Sequence, residues 1–149
     1  MFKVLRRKIR KMFREFLVYH HSSLEFRAKV LTLMVSADRE LSACEEETLS
    51  HIAHRIYSED SERAELLIDT VKEFHTKIVT DNGLDLEDLV KQIDKEVRSA
   101  KQFCHKIDIE LLSALQACAH DADEEEKLFQ QRIMEFLENI RRELCSNES

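Results

Sequence analysis

Leu24-Glu25-Phe26-Arg27-Ala28-Lys29-Val30-Leu31-Thr32-Leu33-Met34-Val35-Ser36-Ala37 is the stretch that decides the fold. Leu24, Phe26, Val30, Leu31, Leu33, Met34, Val35 and Ala37 leave it little polar face. A helix that is apolar nearly all round is a buried helix. Ser22-Ser23-Leu24-Glu25 fits a capping box at its start, in which hydroxyl and carboxylate satisfy free backbone N–H groups. A buried helix needs other helices to cover it. The rest of the chain supplies candidates at helical period.

Residues 2–19 place Phe2, Leu5, Ile9, Phe13, Phe16 and Leu17 at three-to-four spacing. Ser42-Ala43-Cys44-Glu45 is a second capping box, opening a helix over about 43–57 with Leu49, Ile52, Ala53 and Ile56 inward. A helix over 61–79 carries Leu67, Ile68, Val71, Phe74 and Ile78 on one stripe. Asp81-Asn82-Gly83 holds the single glycine, where a left-handed C-cap needs one. Asp85 caps a helix over 86–103, and residues 107–120 again read as apolar nearly all round. The last helix, 124–144, is expected to bury Leu128, Ile133, Phe136, Leu137 and Ile140.

Composition agrees. The 149 residues include one Gly and no Pro, which leaves almost no turn chemistry for hairpins. This argues against an all-β fold, and no Gly-rich phosphate loop is possible. Charged residues are 36% and apolar residues 43%, the balance of a soluble helical domain rather than a disordered chain. The expected fold is all-α, a single seven-helix bundle. Residues 1–21 form a basic amphipathic helix, 22–145 the domain, and 146–149 a disordered tail.

Charge is unevenly placed. Residues 1–23 hold seven basic groups against Glu15, so of the formal net charge of −7 the remaining residues carry −13. An acidic body argues against nucleic acid as its partner. The basic arm, with Lys3, Arg6, Arg7, Arg10, Lys11 and Arg14, suits an anionic membrane surface or an acidic protein partner. It equally suits packing on the acidic body, within one chain or between copies in a homo-oligomer. Phe2 stands where N-myristoylation needs glycine.

Cys44, Cys104, Cys118 and Cys145 form no CxxC pair, and their spacing matches neither a zinc pattern nor a disulfide framework. Cys104 and Cys118 sit in apolar helical patterns and read as reduced core thiols. No run approaches the ~18 apolar residues of a membrane span, and no secretory signal is visible. The Arg-rich, acid-poor start resembles a mitochondrial presequence but lacks its serines. The expected compartment is cytoplasmic, with a peripheral place at the inner membrane.

A buried helix, an acidic loop and an amphipathic helix occur at 24–57, and the same order recurs at 107–144. This suggests a duplication with pseudo-two-fold packing. The first corner is Ala37-Asp38-Arg39-Glu40-Leu41-Ser42-Ala43-Cys44-Glu45. It resembles the A-D-G-x-φ-S-x-x-E signature of the TerB-like family, named for a tellurite-resistance protein. Asp38, Leu41, Ser42 and Glu45 match, while Arg39 replaces the glycine. In the second corner, His120-Asp121-Ala122-Asp123-Glu124-Glu125-Glu126, two registers fit. Either His120 takes the Asp position, or Asp121 does in a loop about two residues shorter. The latter keeps a carboxylate at the corner. The resemblance implies about seven helices, acidic residues that bind divalent cations, and a bacterial stress-response setting. It makes Asp38, Glu40, Glu45, Asp121, Asp123 and Glu126 candidate ligands for Ca²⁺ or Mg²⁺, less readily Zn²⁺. Helix capping explains several of these acids without any metal.

Glu47, His51 and His54 share one helical face at i, i+4 and i+7, a spacing that can hold zinc. That face lies away from Leu49 and Ile52, which favours solvent. His20-His21 lies at a helix junction and reads as surface. Cys44 sits in a helix first turn beside Glu45, Glu46 and Glu47, which oppose a reactive thiolate. No catalytic triad is indicated, and the expectation is a binding protein rather than an enzyme.

Overall fold

The computed structural model describes residues 22–37, 39–121 and 124–145. Among them are six α-helices and no strand: α1 Ser22–Val35, α2 Ala43–Ile56, α3 Ser61–Val79, α4 Leu86–Ser99, α5 Ile109–Ala117 and α6 Glu124–Cys145. Two 3₁₀ turns, Lys101–Lys106 and Cys118–Asp121, flank α5. The expected helix over 2–19 and the expected tail at 146–149 lie outside the described residues.

α1 is the buried helix that its composition predicts. Leu24, Phe26, Ala28, Val30, Leu31, Leu33, Met34 and Val35 are all buried. It packs against α3, α4, α5, α6 and the turn Lys101–Lys106, while α2 packs on α3 and α5. Its polar residues survive burial by bonding locally. Thr32 Oγ1 donates to Ala28 O at 2.6 Å and Ser36 Oγ to Leu33 O at 2.7 Å. Lys29, 8% exposed, reaches Glu96 of α4 at 2.8 Å and stands 3.9 Å from Glu25. The buried Gln130 of α6 donates from Nε2 to Met34 O, satisfying one of the carbonyls that a helix end leaves open.

Starts and stops follow sequence chemistry. Ser42, Asp60, Asp85 and Asp108 cap α2, α3, α4 and α5 through their side chains. At the end of α3, Asn82 N–H donates to Lys77 O and Asp81 N–H to Ile78 O. That is the Schellman arrangement. The left-handed residue is Asp81, with φ 55°, and Gly83 follows at φ 90°. The glycine therefore serves the loop beyond the cap rather than the cap itself.

Three expectations need correction. The helix predicted over 86–103 stops at Ser99, and a 3₁₀ turn carries the chain past Phe103. The α5 region is less enclosed than its apolar letters suggest: Leu112 and Leu115 are its buried residues, while Ser113 and Ala114 are exposed. Leu128 was expected inside and is 51% exposed. The buried stripe of α6 runs Gln130, Ile133, Met134, Leu137, Ile140 and Leu144. Leu128 precedes Gln130 by two residues, about 200° of helical rotation, and so faces away.

Phe26 is fully buried and stacks on Phe103 with ring centroids 5.1 Å apart. Phe26→Ala will lower the unfolding free energy by about 3–5 kcal/mol, measured by denaturant titration of the oxidised protein.

Candidate functional site

The first acidic corner is built by the turn out of α1 and the cap of α2. Ser42 takes extended geometry, φ −69° and ψ 162°, and its hydroxyl accepts from Glu45 N–H. Glu45 Oε1 accepts from Ser42 N–H at 3.0 Å, which completes the reciprocal box. Glu45 is 2% exposed, so its carboxylate is turned inward to hold this helix start. Glu40 is exposed, and Asp38 lies outside the described residues.

The second corner follows α5. Backbone turns through Cys118–Asp121, and α6 begins at Glu124. Glu124, Glu125 and Glu126 occupy its first turn, where negative charge favours the helix dipole. Glu126 is half-buried, Asp121 is described in its backbone, and Asp123 lies outside the described residues.

A covalent bond joins the two corners. Cys44, in the first turn of α2, is disulfide-bonded to Cys118, with Cα atoms 5.7 Å apart. Thr48 supports the link, its Oγ1 lying 3.4 Å from Cys118 Sγ. The second bond, Cys104–Cys145, ties the turn before α5 to the last residue of α6. No free cysteine remains. The reading of Cys104 and Cys118 as reduced thiols is therefore corrected, and with it the argument from cysteine usage for a reducing compartment. Four cysteines allow three pairings, which spacing along the chain cannot choose among. No helix of the described residues is long and apolar enough to cross a membrane.

The face of Glu47, His51 and His54 on α2 gathers no ligand group and lies toward solvent, as its position away from Leu49 and Ile52 favours. His54 turns its Nδ1 to Ser50 O at 2.9 Å and its Nε2 toward Glu65 of α3 at 3.5 Å. Glu47 and His51 point outward. Among the described residues, Cys104, His105 and Cys145 form the one group of three His, Cys or acidic side chains whose ligand atoms lie within 4.8 Å of one another. The sequence reading missed it. The adjacent letters Cys104-His105 were its one local signal. The basic residues from Lys3 to Arg14 lie outside the described region.

A third feature concentrates cations. Arg27, Lys106 and Asp108 line a small apolar-walled cavity with Ile52, Ile56 and Leu112. Burial lowers the pKa of Arg27, partly offset by Tyr57 and Asp108. Burial also lowers that of Lys106, and Arg27 lowers it further. Nearby, the Arg63 guanidinium lies 5.6 Å over the Tyr57 ring.

Comparison with known proteins finds no matching family model, no matching curated protein and no matching solved structure.

Burial pushes the Tyr57 phenol above its ordinary pKa of 10.0, opposed by Arg27 and Arg63. A pKa raised on folding gives stability that is complete below the unfolded value and lost as pH rises through the folded one. In Tyr19→Phe protein, which leaves Tyr57 as the one tyrosine, phenolate absorbance will titrate above pH 10.0 and stability will fall over the same range. Adding Tyr57→Phe will remove that component of the alkaline loss.

Proposed function

We propose that this chain is a non-enzymatic helical binding module of TerB-like type, which takes up a divalent cation where its two acidic corners meet. One observation carries the reading: Cys44–Cys118 holds the start of α2 against the segment that leads into α6. Glu40 and Glu124, one from each acid-rich stretch, stand four and six residues along the chain from the bonded Cys44 and Cys118. Hard cations take oxygen ligands, six to eight for Ca²⁺. Asp38, Glu40, Asp121, Asp123 and Glu126 are the acids assigned to the ion. Glu45 serves instead as the cap that fixes α2. The family resemblance adds the setting of a bacterial stress response linked to tellurite resistance.

Calorimetric titration of chelator-stripped, oxidised protein with Ca²⁺ and Mg²⁺ tests the site. Saturable binding is expected in the wild type and lost in Asp38→Asn/Asp121→Asn at equal ionic strength. Absence of binding in the wild type overturns the reading and leaves these acids as helix caps.

The charge division along the chain favours a second reading. Residues 1–23 are strongly basic while the remainder is acidic. In this reading the module is a metal-free adaptor that docks through its basic segment to an anionic membrane. Full-length protein should then pellet with anionic liposomes, and protein lacking residues 1–20 should not.

A further inference from the structure

We propose that Cys104, His105 and Cys145 form a redox-gated zinc site, closed by the disulfide and opened when the two cysteines are reduced. The site is separate from the acidic corners and does not depend on their binding a cation.

The geometry comes from three elements of the fold. The turn Lys101–Lys106 presents Cys104 inward and His105 outward, because successive residues of a 3₁₀ turn point about 120° apart. α6 brings Cys145 to the same place at its last residue. Cys145 Sγ lies 3.6 Å from His105 Nδ1. The Cα atoms of the two cysteines are 5.8 Å apart. Zinc bonds of ~2.3 Å to sulfur and ~2.0 Å to nitrogen, at tetrahedral angles, need ligand atoms about 3.5–3.8 Å apart. The His105–Cys145 separation already meets this. Once reduced, the sulfurs need to part by side-chain rotation alone.

The surroundings suit both steps. Cys104 is fully buried, while Cys145 is half-buried and walls an open depression of about 440 Å³ with His105, Ile109, Glu138, Arg141 and Arg142. A reductant therefore meets Cys145 first. One monothiol attacks Cys145 Sγ, and Cys104 leaves as a thiolate that takes up a proton. A second monothiol attacks the sulfur of the first, and the two leave joined by a disulfide while Cys145 is protonated. Zn²⁺ then displaces both protons and binds two thiolates and one imidazole. The fourth zinc position is left to water from the depression. Two-electron oxidation by hydrogen peroxide reverses the process: the disulfide re-forms, the peroxide becomes two waters with two protons from solution, and zinc leaves.

The test uses full-length Cys44→Ser/Cys118→Ser protein, which keeps this one pair. It is reduced with a phosphine, desalted without oxygen, and titrated with Zn²⁺ and with Co²⁺. One equivalent should bind, and Co²⁺ should show the charge-transfer absorption of thiolate ligation. The oxidised protein should lack this equivalent and its charge-transfer band, whatever the acidic corners bind. His105→Ala should weaken zinc by more than about 10-fold, the lower end of what even outer-shell partners contribute. Should the serine pair fail to fold, reduced wild type against His105→Ala and Cys145→Ser gives the same comparison. If reduced protein takes up no zinc, or if His105→Ala binds as tightly as its parent, the pair is a structural staple and the proposal fails.

Discussion

α1 has almost no side to turn to water, and the rest of the bundle is arranged around that constraint. Its apolar residues touch four other helices and the turn before α5. A buried helix must also dispose of its polar groups, since each one left unpaired costs about 1–3 kcal/mol. Thr32 and Ser36 do so within the helix. Lys29 does so by reaching Glu96, and the carbonyl of Met34 by accepting from Gln130. The last two bonds tie α4 and α6 to fixed points on α1. Hydrophobic burial draws these helices in, and the polar contacts set where along α1 they rest.

Much of this was legible from letters at helical period. The α3 boundaries at Ser61–Val79 agree with the pattern, as do the caps at Ser42 and Asp85. These features depend on residues within one turn of each other, so sequence carries them directly. Leu128 was misplaced because an apolar residue two positions from a stripe looks close in sequence and is far in angle. The break at Ala100 has no proline or glycine to announce it.

The candidate sites divide in the same way. Glu45 as a capping carboxylate is local, and the pattern Ser42-x-x-Glu45 states it. The grouping of His105 with Cys145 spans 40 residues and exists through the packing of α6 on the Lys101–Lys106 turn. No spacing rule along the chain encodes it. The two disulfides are hidden in the letters for the same reason. An apolar neighbourhood marks a thiol as buried but says nothing about a second thiol buried beside it.

The order of the two disulfides has a topological result. Along the chain the cysteines come as 44, 104, 118 and 145, and the bonds join the first to the third and the second to the fourth. The two covalent rings therefore overlap. Loop closure of these lengths removes denatured-state freedom worth about 4 kcal/mol each. The overlap adds something that entropy does not describe. Any single backbone cut between Cys44 and Cys145 falls inside at least one ring, so a nicked chain remains one covalent molecule until it is reduced.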